Sequence, residues 1–162
     1  MIKLGIITVS DRSSRGERKD LSGPEIRKWA HEKGFQVITE RIVPDDIEKI
    51  KLALTEFSNM GLHLIFTTGG TGFAPRDVTP EATLAVIEKH APGFAEVMRS
   101  RSLEITPRAM LSRAVAGIRK RSLIINLPGS PKAVRENLGF IQDSLDHAID
   151  LLCEGVSDCG SV

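Results

Sequence analysis

The residues with the most chemical promise are Thr67-Thr68-Gly69-Gly70-Thr71-Gly72. Three glycines within four positions remove Cβ atoms, so the backbone can turn with positive φ and point N–H groups at an anion. The threonine hydroxyls add donors. This is phosphate-binding chemistry, although a tight strand-to-helix turn without a ligand carries the same pattern. Two familiar nucleotide motifs are excluded: no Lys-Ser/Thr follows the glycines, and their spacing fails G-x-G-x-x-G. Asp77 follows a few positions later, with Arg76 beside it and Thr79 at the start of the next helical pattern. A carboxylate beside a phosphate cradle concentrates negative charge unless a hard cation bridges the two. Mg²⁺ held by one or two carboxylates and substrate phosphates is such an arrangement. The plainer role for Asp77 is to stabilise a turn before a helix.

Other positions carry a similar choice. Asp45 and Asp46 follow Pro44 where a strand pattern gives way to a helical one, and their ordinary role is N-terminal capping. Asn126-Leu127-Pro128-Gly129-Ser130 ends another strand pattern, and Ser130-Pro131 opens a long helix. The first backbone N–H groups and the positive end of that helix dipole make a second potential anion site, or a simple cap. Lys132 in the first turn opposes the dipole, which favours a ligand-facing role. Ser10, Asp11, Ser13 and Ser14, with Arg12 and Arg15, lie at the end of the first strand and in a polar loop that reads mostly as solvated surface. Ser112 and Arg113 are weaker candidates. His31, His63, His90 and His147 have no metal-ligand spacing. Cys153 and Cys159 lack the further Cys or His that a zinc tetrahedron needs, and they imply a reduced, intracellular setting. Cys153 reads as core or interface, and Cys159 as tail.

The elements that position these groups alternate between strand and helix. Ile2–Ser10 is a dense β-branched run followed by the loop Asp11–Gly23. Pro24 sits where a first helical residue belongs, with Ile26, Trp29 and Ala30 as the inward face before Gly34 stops the helix. Phe35–Val43 is a strand. Ile47, Ile50, Leu54 and Phe57 stripe the next helix, which closes near Gly61. Leu62–Thr68 runs into the glycine-rich loop. Thr79 and Pro80 start a helix to His90 with Leu84 and Ile87 inward, and another follows Pro92-Gly93. Ala114–Ile118 and Ser122–Leu127 fit either an antiparallel pair or two separate strands. Val134, Leu138, Ile141, Leu145, Ile149 and Leu152 then make the strongest periodic stripe in the chain. Such alternation implies an α/β fold, a mostly parallel sheet covered on both faces, with ligands at the carboxyl ends of its strands.

Composition narrows the function. The chain has 162 residues, 41% apolar and 27% charged. That is the size and balance of a single globular domain, residues 1–162. A net charge of +1 gives no nucleic-acid signal, so an anion must be captured by local geometry. The N-terminal apolar run is too short for a secretory signal, and no stretch reaches the length of a membrane span. The expected location is cytoplasmic.

Taken together, TVSDRSS, VPDD, TTGGTGFAPRDVTPEAT, ITPRAMLSRAVAGIR and LIINLPGSPKAV closely resemble the molybdopterin adenylyltransferases, the MogA-type bacterial proteins and the G domain of gephyrin. The resemblance spans residues 4 to 150, with the motifs in order. It implies a three-layer α/β/α domain, commonly a homotrimer, that transfers AMP from Mg·ATP to the terminal phosphate of molybdopterin and releases pyrophosphate. The product would pass to a MoeA-type molybdenum insertase. The family's functional carboxylates fall on Asp45 and Asp77, which the resemblance assigns to catalysis and metal handling. It assigns Thr68, Gly69, Gly70, Thr71, Gly72 and Arg76, with Asn126, Pro128, Gly129, Ser130 and Lys132, to nucleotide or pterin binding. Ser10, Asp11, Ser13 and Ser14 are assigned to the pocket wall. The turn departs from the frequent PDE, having Asp46 after Asp45, and the chain is near the MoaB-type paralogues in size. The alternative is therefore a non-catalytic MoaB-like protein that binds the pterin or acts as a scaffold.

Overall fold

The apolar strand runs are buried on both faces, which places them inside a sheet covered by two helical layers. The computed structural model describes residues 1–154; Cys159 lies outside the described residues. The strands are β1 (Lys3–Val9), β2 (Gln36–Val43), β3 (Leu64–Thr68), β4 (Lys89–His90), β5 (Ala116–Arg119) and β6 (Ser122–Leu127). The helices are α1 (Asp11–Ser14), α2 (Ser22–Glu32), α3 (Ile47–Asn59), α4 (Thr79–Val86), α5 (Pro92–Leu103) and α6 (Pro131–Cys153), with a 3-10 turn at Pro107–Leu111. Among the described residues they form one sheet in the order β2-β1-β3-β6-β5-β4. Pairing is parallel from β2 to β6 and antiparallel for β6-β5 and β5-β4.

Successive side chains on a strand face opposite ways, and the two faces build two cores. Leu4, Ile6, Leu64, Phe66 and Ile125 pack on α2 and α6 through Trp29, Val134, Leu138 and Leu145. Ile7, Val9, Ile65 and Ile124 pack on α3 and α4 through Ile50, Leu54, Phe57 and Val86. The result is the expected three-layer α/β/α architecture. The α6 stripe is buried from Val134 to Ile149 and ends on buried Cys153, while Leu152 is half-buried.

Four local expectations need correction. Helix α2 begins at Ser22, before Pro24, because Asp20 Oδ1 accepts the N–H groups of Ser22 and Gly23 at 3.1 Å each and caps the helix upstream. Asp11–Ser14 is a helical turn within the supposed loop, capped by Ser10. Helix α4 stops at Val86; Ala82, Thr83 and Val86 face inward, whereas Leu84 is exposed. The chain then leaves to pair Lys89 and His90 with Ile118 and Gly117. On α3, Ile47 is also exposed. The alternative left open at residues 114–127 resolves as an antiparallel hairpin turning at Lys120, where φ is +53°.

Candidate active site

The chain leaves β1 toward β2 on one side and returns across it to β3 on the other, so the sheet's topological switch point lies between β1 and β3. A crevice opens there, beyond the carboxyl ends of the strands, where ligands of such sheets bind. It is a cavity of about 310 Å³ walled by the loop after β1, the β2–α3 turn, the glycine-rich loop and the start of α6.

Backbone geometry explains the glycines. Gly69 and Gly70 have φ of +97° and +68°. A Cβ on Gly69 would run into the Val9 carbonyl; one on Gly70 would strike Thr79 Oγ1 and lie 3.2 Å from Asp45 Oδ1. The loop is fastened on both sides. Gly69 N donates to Leu127 O at 3.3 Å, and Thr68 Oγ1 to Pro128 O at 2.7 Å. Thr79 donates through Oγ1 to Gly69 O at 2.9 Å and through its N–H to Gly70 O at 3.1 Å. Thr79 is thus the first residue of α4 and not its cap, a position taken by Val78 without a side-chain bond. Its hydroxyl is committed to the loop.

The carboxylates sit against this loop. Asp45 and Asp11 exchange hydrogen bonds across the β1 and β2 ends: Asp11 N donates to Asp45 Oδ2, and Asp45 N to Asp11 Oδ1, both at 2.9 Å. The other oxygen, Asp45 Oδ1, is buried without a hydrogen-bond partner among the described residues. Burial pushes the Asp45 pKa above the ordinary carboxylate value; the bond from Asp11 opposes this, while the Asp11 and Asp77 charges add to it. Capping of α3 falls to Asp46, whose Oδ1 accepts from Lys49 N at 2.9 Å. Asp77 Oδ2 accepts from Ala74 N at 3.0 Å, closing a short turn after the glycines.

Of the residues expected at a site, Ser10, Ser13, Asp45, Thr68, Gly69, Gly70, Arg76, Asp77, Gly129 and Ser130 share this cavity. Asp11 acts behind the wall by holding Asp45. Ser14 is exposed and donates to Asp11 O. Thr71, Gly72, Asn126 and Pro128 border a second cavity of about 280 Å³, with Arg99, Arg108 and Ser112. Asn126 is fully buried: its Nδ2 donates to Thr67 Oγ1 at 2.9 Å and Thr83 Oγ1 at 3.0 Å, and its Oδ1 accepts from Val115 N at 3.2 Å. It braces β3, β6 and α4. Ser130 Oγ caps α6 by accepting from Ala133 N at 3.2 Å. Lys132 turns outward, 78% exposed and 3.8 Å from Glu136, and is not part of the cavity wall.

Sequence reasoning missed Asp20, Arg18 and Lys19 on the wall. Asp20 Oδ2 accepts from Thr8 Oγ1 at 2.8 Å while its Oδ1 caps α2. The Asp-x-Ser-Gly-Pro spacing was the available signal for such a capping turn. His63 Nδ1 accepts from Lys3 N, far from the cavity, and burial lowers its pKa. Among the described residues no group of three or more His, Cys, Asp or Glu is placed to hold a metal, and no helix is long and apolar enough to cross a membrane.

A family model described as "Probable molybdopterin binding domain" matches residues 5–147. The chain belongs to that family. It is 48% identical over 147 residues to a molybdopterin adenylyltransferase of Haemophilus influenzae, covering 88% of this chain and 74% of that one. It is 46% identical over 159 residues to gephyrin of Dictyostelium discoideum, but spans only 22% of that longer protein. Its fold superposes on the molybdopterin biosynthesis enzyme MoaB of Thermus thermophilus with a TM-score of 0.89 and 48% identity, covering 94% of this chain and 96% of that one. The glycine-rich loop and both aspartates of this molybdopterin-binding domain lie inside the matched span.

Proposed function

We propose that this chain adenylylates molybdopterin with ATP, releasing pyrophosphate, as a step of molybdenum cofactor biosynthesis. The observation that carries the reading is Asp45 Oδ1, a buried carboxylate oxygen with no partner among the described residues, on the wall it shares with Asp77 and the glycine-rich loop. Membership of the family and the name of the Haemophilus influenzae relative support the substrates.

Asp45 and Asp77 fit Mg²⁺. A bare carboxylate oxygen is a hard ligand, and two protein carboxylates leave the remaining positions to phosphate oxygens and water, the usual arrangement for this ion. When bound, the ion would supply neutralisation of phosphoryl charge. The chain supplies the rest. Gly69 and Gly70 keep the loop backbone close to the ligand, and Arg18, Lys19 and Arg76 bring positive charge to the same cavity. Ser130 and Pro131 present the start of α6 to it. These groups hold two phosphates in line. An oxygen of the pterin phosphate forms a bond to the α-phosphorus of ATP as the bond from that phosphorus to the bridging oxygen breaks, and pyrophosphate leaves with the electron pair. Positioning and electrostatics carry most of the acceleration in such a transfer.

Residues 1–162 act in this reading as one molybdopterin-binding unit in the cytoplasm, assembled as a homotrimer and passing the adenylylated pterin to a MoeA-type insertase. The resemblance of the signature motifs supports these finer points. Incubation with molybdopterin, ATP and Mg²⁺ should release pyrophosphate. A folded sample that binds the pterin tightly, has no affinity for ATP and releases none would replace the enzyme with the scaffold alternative.

A further inference from the structure

The turn from Gly72 to Asp77 has little apolar burial to hold it, since Phe73 is 68% exposed. Ala74 and Asp77 exchange hydrogen bonds within it, and its two ends are tied by a residue 41 positions after Gly72. Arg113 Nε donates to Gly72 O and Nη2 to Asp77 O, both at 2.8 Å, so one guanidinium gathers the carbonyls at the two ends of the turn. Its backbone N–H donates to Thr71 O at 2.8 Å. The remaining face of the fork pairs with the Glu81 carboxylate in the first turn of α4. Arg113 is steadied in turn: Arg99 Nη1 donates to the next carbonyl, Ala114 O, at 2.7 Å. We propose that Arg113, paired with Glu81, is the positioning residue that sets the Gly72–Asp77 turn and thereby aims the Asp77 carboxylate at the cation; this rests on the function proposed above.

Two further observations support it. A Cβ on Gly72 would lie 3.0 Å from Asp77 Oδ2, so the carboxylate packs against the Gly72 backbone and a shift of one displaces the other. The Glu81 carboxylate partners the guanidinium on its remaining face, so the fork's side-chain partner is Glu81, and it meets Asp77 through the backbone carbonyl, leaving the Asp77 carboxylate to Ala74 N. A lysine cannot replace it, because a point charge lacks the planar fork that reaches two carbonyls and a carboxylate together.

The test uses the full-length protein and Arg113→Lys, which keeps the charge, with Glu81→Gln beside it. Hydrogen exchange in the ligand-free protein should quicken at residues 72–78 in Arg113→Lys and stay unchanged in β3 and β6. Mn²⁺ titrated in the presence of ATP and followed by its electron paramagnetic resonance should show weaker binding, on the order of 10-fold or more, as for loss of a group that orients a metal ligand. Turnover should fall by a similar factor with KM for molybdopterin unchanged, and excess Mg²⁺ should restore part of it. Glu81→Gln should keep the turn but weaken Mn²⁺ binding, because the guanidinium charge is then released toward Asp77. Unchanged exchange at 72–78, exchange quickened throughout the sheet, or Mn²⁺ binding equal to wild type would overturn the role. If the wild type releases no pyrophosphate, the functional reading falls, while the exchange and manganese measurements need no turnover and still decide the role of Arg113.

Discussion

Replacing Asp45 with Asn should make the ligand-free protein more stable while removing its activity. Asp45 Oδ2 accepts from Asp11 N, a bond that an amide oxygen keeps, whereas Oδ1 is buried without a partner among the described residues and the carboxylate sits near Asp11 and Asp77. Asparagine leaves an amide nitrogen where Oδ1 lies but removes the charge, whose desolvation when buried costs about 1–3 kcal/mol. Asp45 is only half-buried, so screening brings the figure to about 1 kcal/mol, the lower end. For 162 residues the unfolding entropy near the midpoint is about 0.34 kcal/mol/K, so the variant should melt about 3 °C higher.

The sign with pH follows from the direction of the shift. The folded-state pKa lies above the unfolded value, so the native state binds this proton more tightly. The stability this group contributes is fully present below the ordinary carboxylate pKa of 3.8 and is lost as pH rises through the raised value. Asn has no such dependence. Thermal unfolding of both proteins at pH 7.5 and at pH 3.8 should therefore show the larger advantage for Asp45→Asn at pH 7.5 and a smaller one at pH 3.8. Adding Mg²⁺ and ATP should raise the wild-type midpoint and leave the variant unmoved, and pyrophosphate release should drop by about 10²–10³-fold, as when a group stabilising transition-state charge is removed. A variant less stable at pH 7.5, or an advantage that widens as the pH falls toward 3.8, would refute the reasoning.

Gly69→Ala should destabilise by about 1–3 kcal/mol, measured by denaturant unfolding, because alanine at φ +97° is strained and its Cβ meets the Val9 carbonyl. Asn126→Leu should cost about 1–3 kcal/mol for the orphaned Val115 N–H alone, lowering the unfolding midpoint. Its effect on KM for either substrate should be small, since the side chain braces strands. Lys132→Ala should leave both stability and rate unchanged, within about 0.5 kcal/mol, because its ion pair with Glu136 is solvated. A tenfold loss of rate in that variant would place the lysine on a ligand after all.

What was legible in the residues was local. The buried strands declared themselves as short continuous apolar runs and the α6 stripe through its period of 3.6, and the glycines marked a turn where Gly69 and Gly70 adopt positive φ. What was hidden depended on distant partners. Lys89–His90 looks like the tail of a helix until β5 offers it an edge. Asn126 at a strand end reads as a ligand contact, because nothing nearby in sequence shows that Thr67 and Thr83 take its amide. Asp45 reads as a cap, and only the adjacency of β1 and β2 shows that Asp11 holds it and that Asp46 caps α3. Arg113 is 36 positions from Asp77, and its two backbone contacts leave no pattern to read.

These long-range contacts share one physical logic. The cavity brings Asp20, Asp45 and Asp77 together with Arg18, Lys19 and Arg76, and the fold fixes each carboxylate through its own clamp: Thr8 for Asp20, Asp11 for Asp45, and the turn set by Arg113 for Asp77. Asp20 spends both oxygens on hydrogen bonds and Asp77 retains one with Ala74, whereas Asp45 keeps a buried oxygen with none among the described residues. A fold selected for stability alone would fill that position with an amide, a change that keeps the Asp11 bond. Retaining the charge there makes sense only if something positive completes it, and the same oxygen that destabilises the free protein then becomes the strongest ligand available to Mg²⁺. The stability gained by Asp45→Asn and the activity it loses therefore have a single cause, and the two should change together in any variant that supplies this oxygen with a permanent donor.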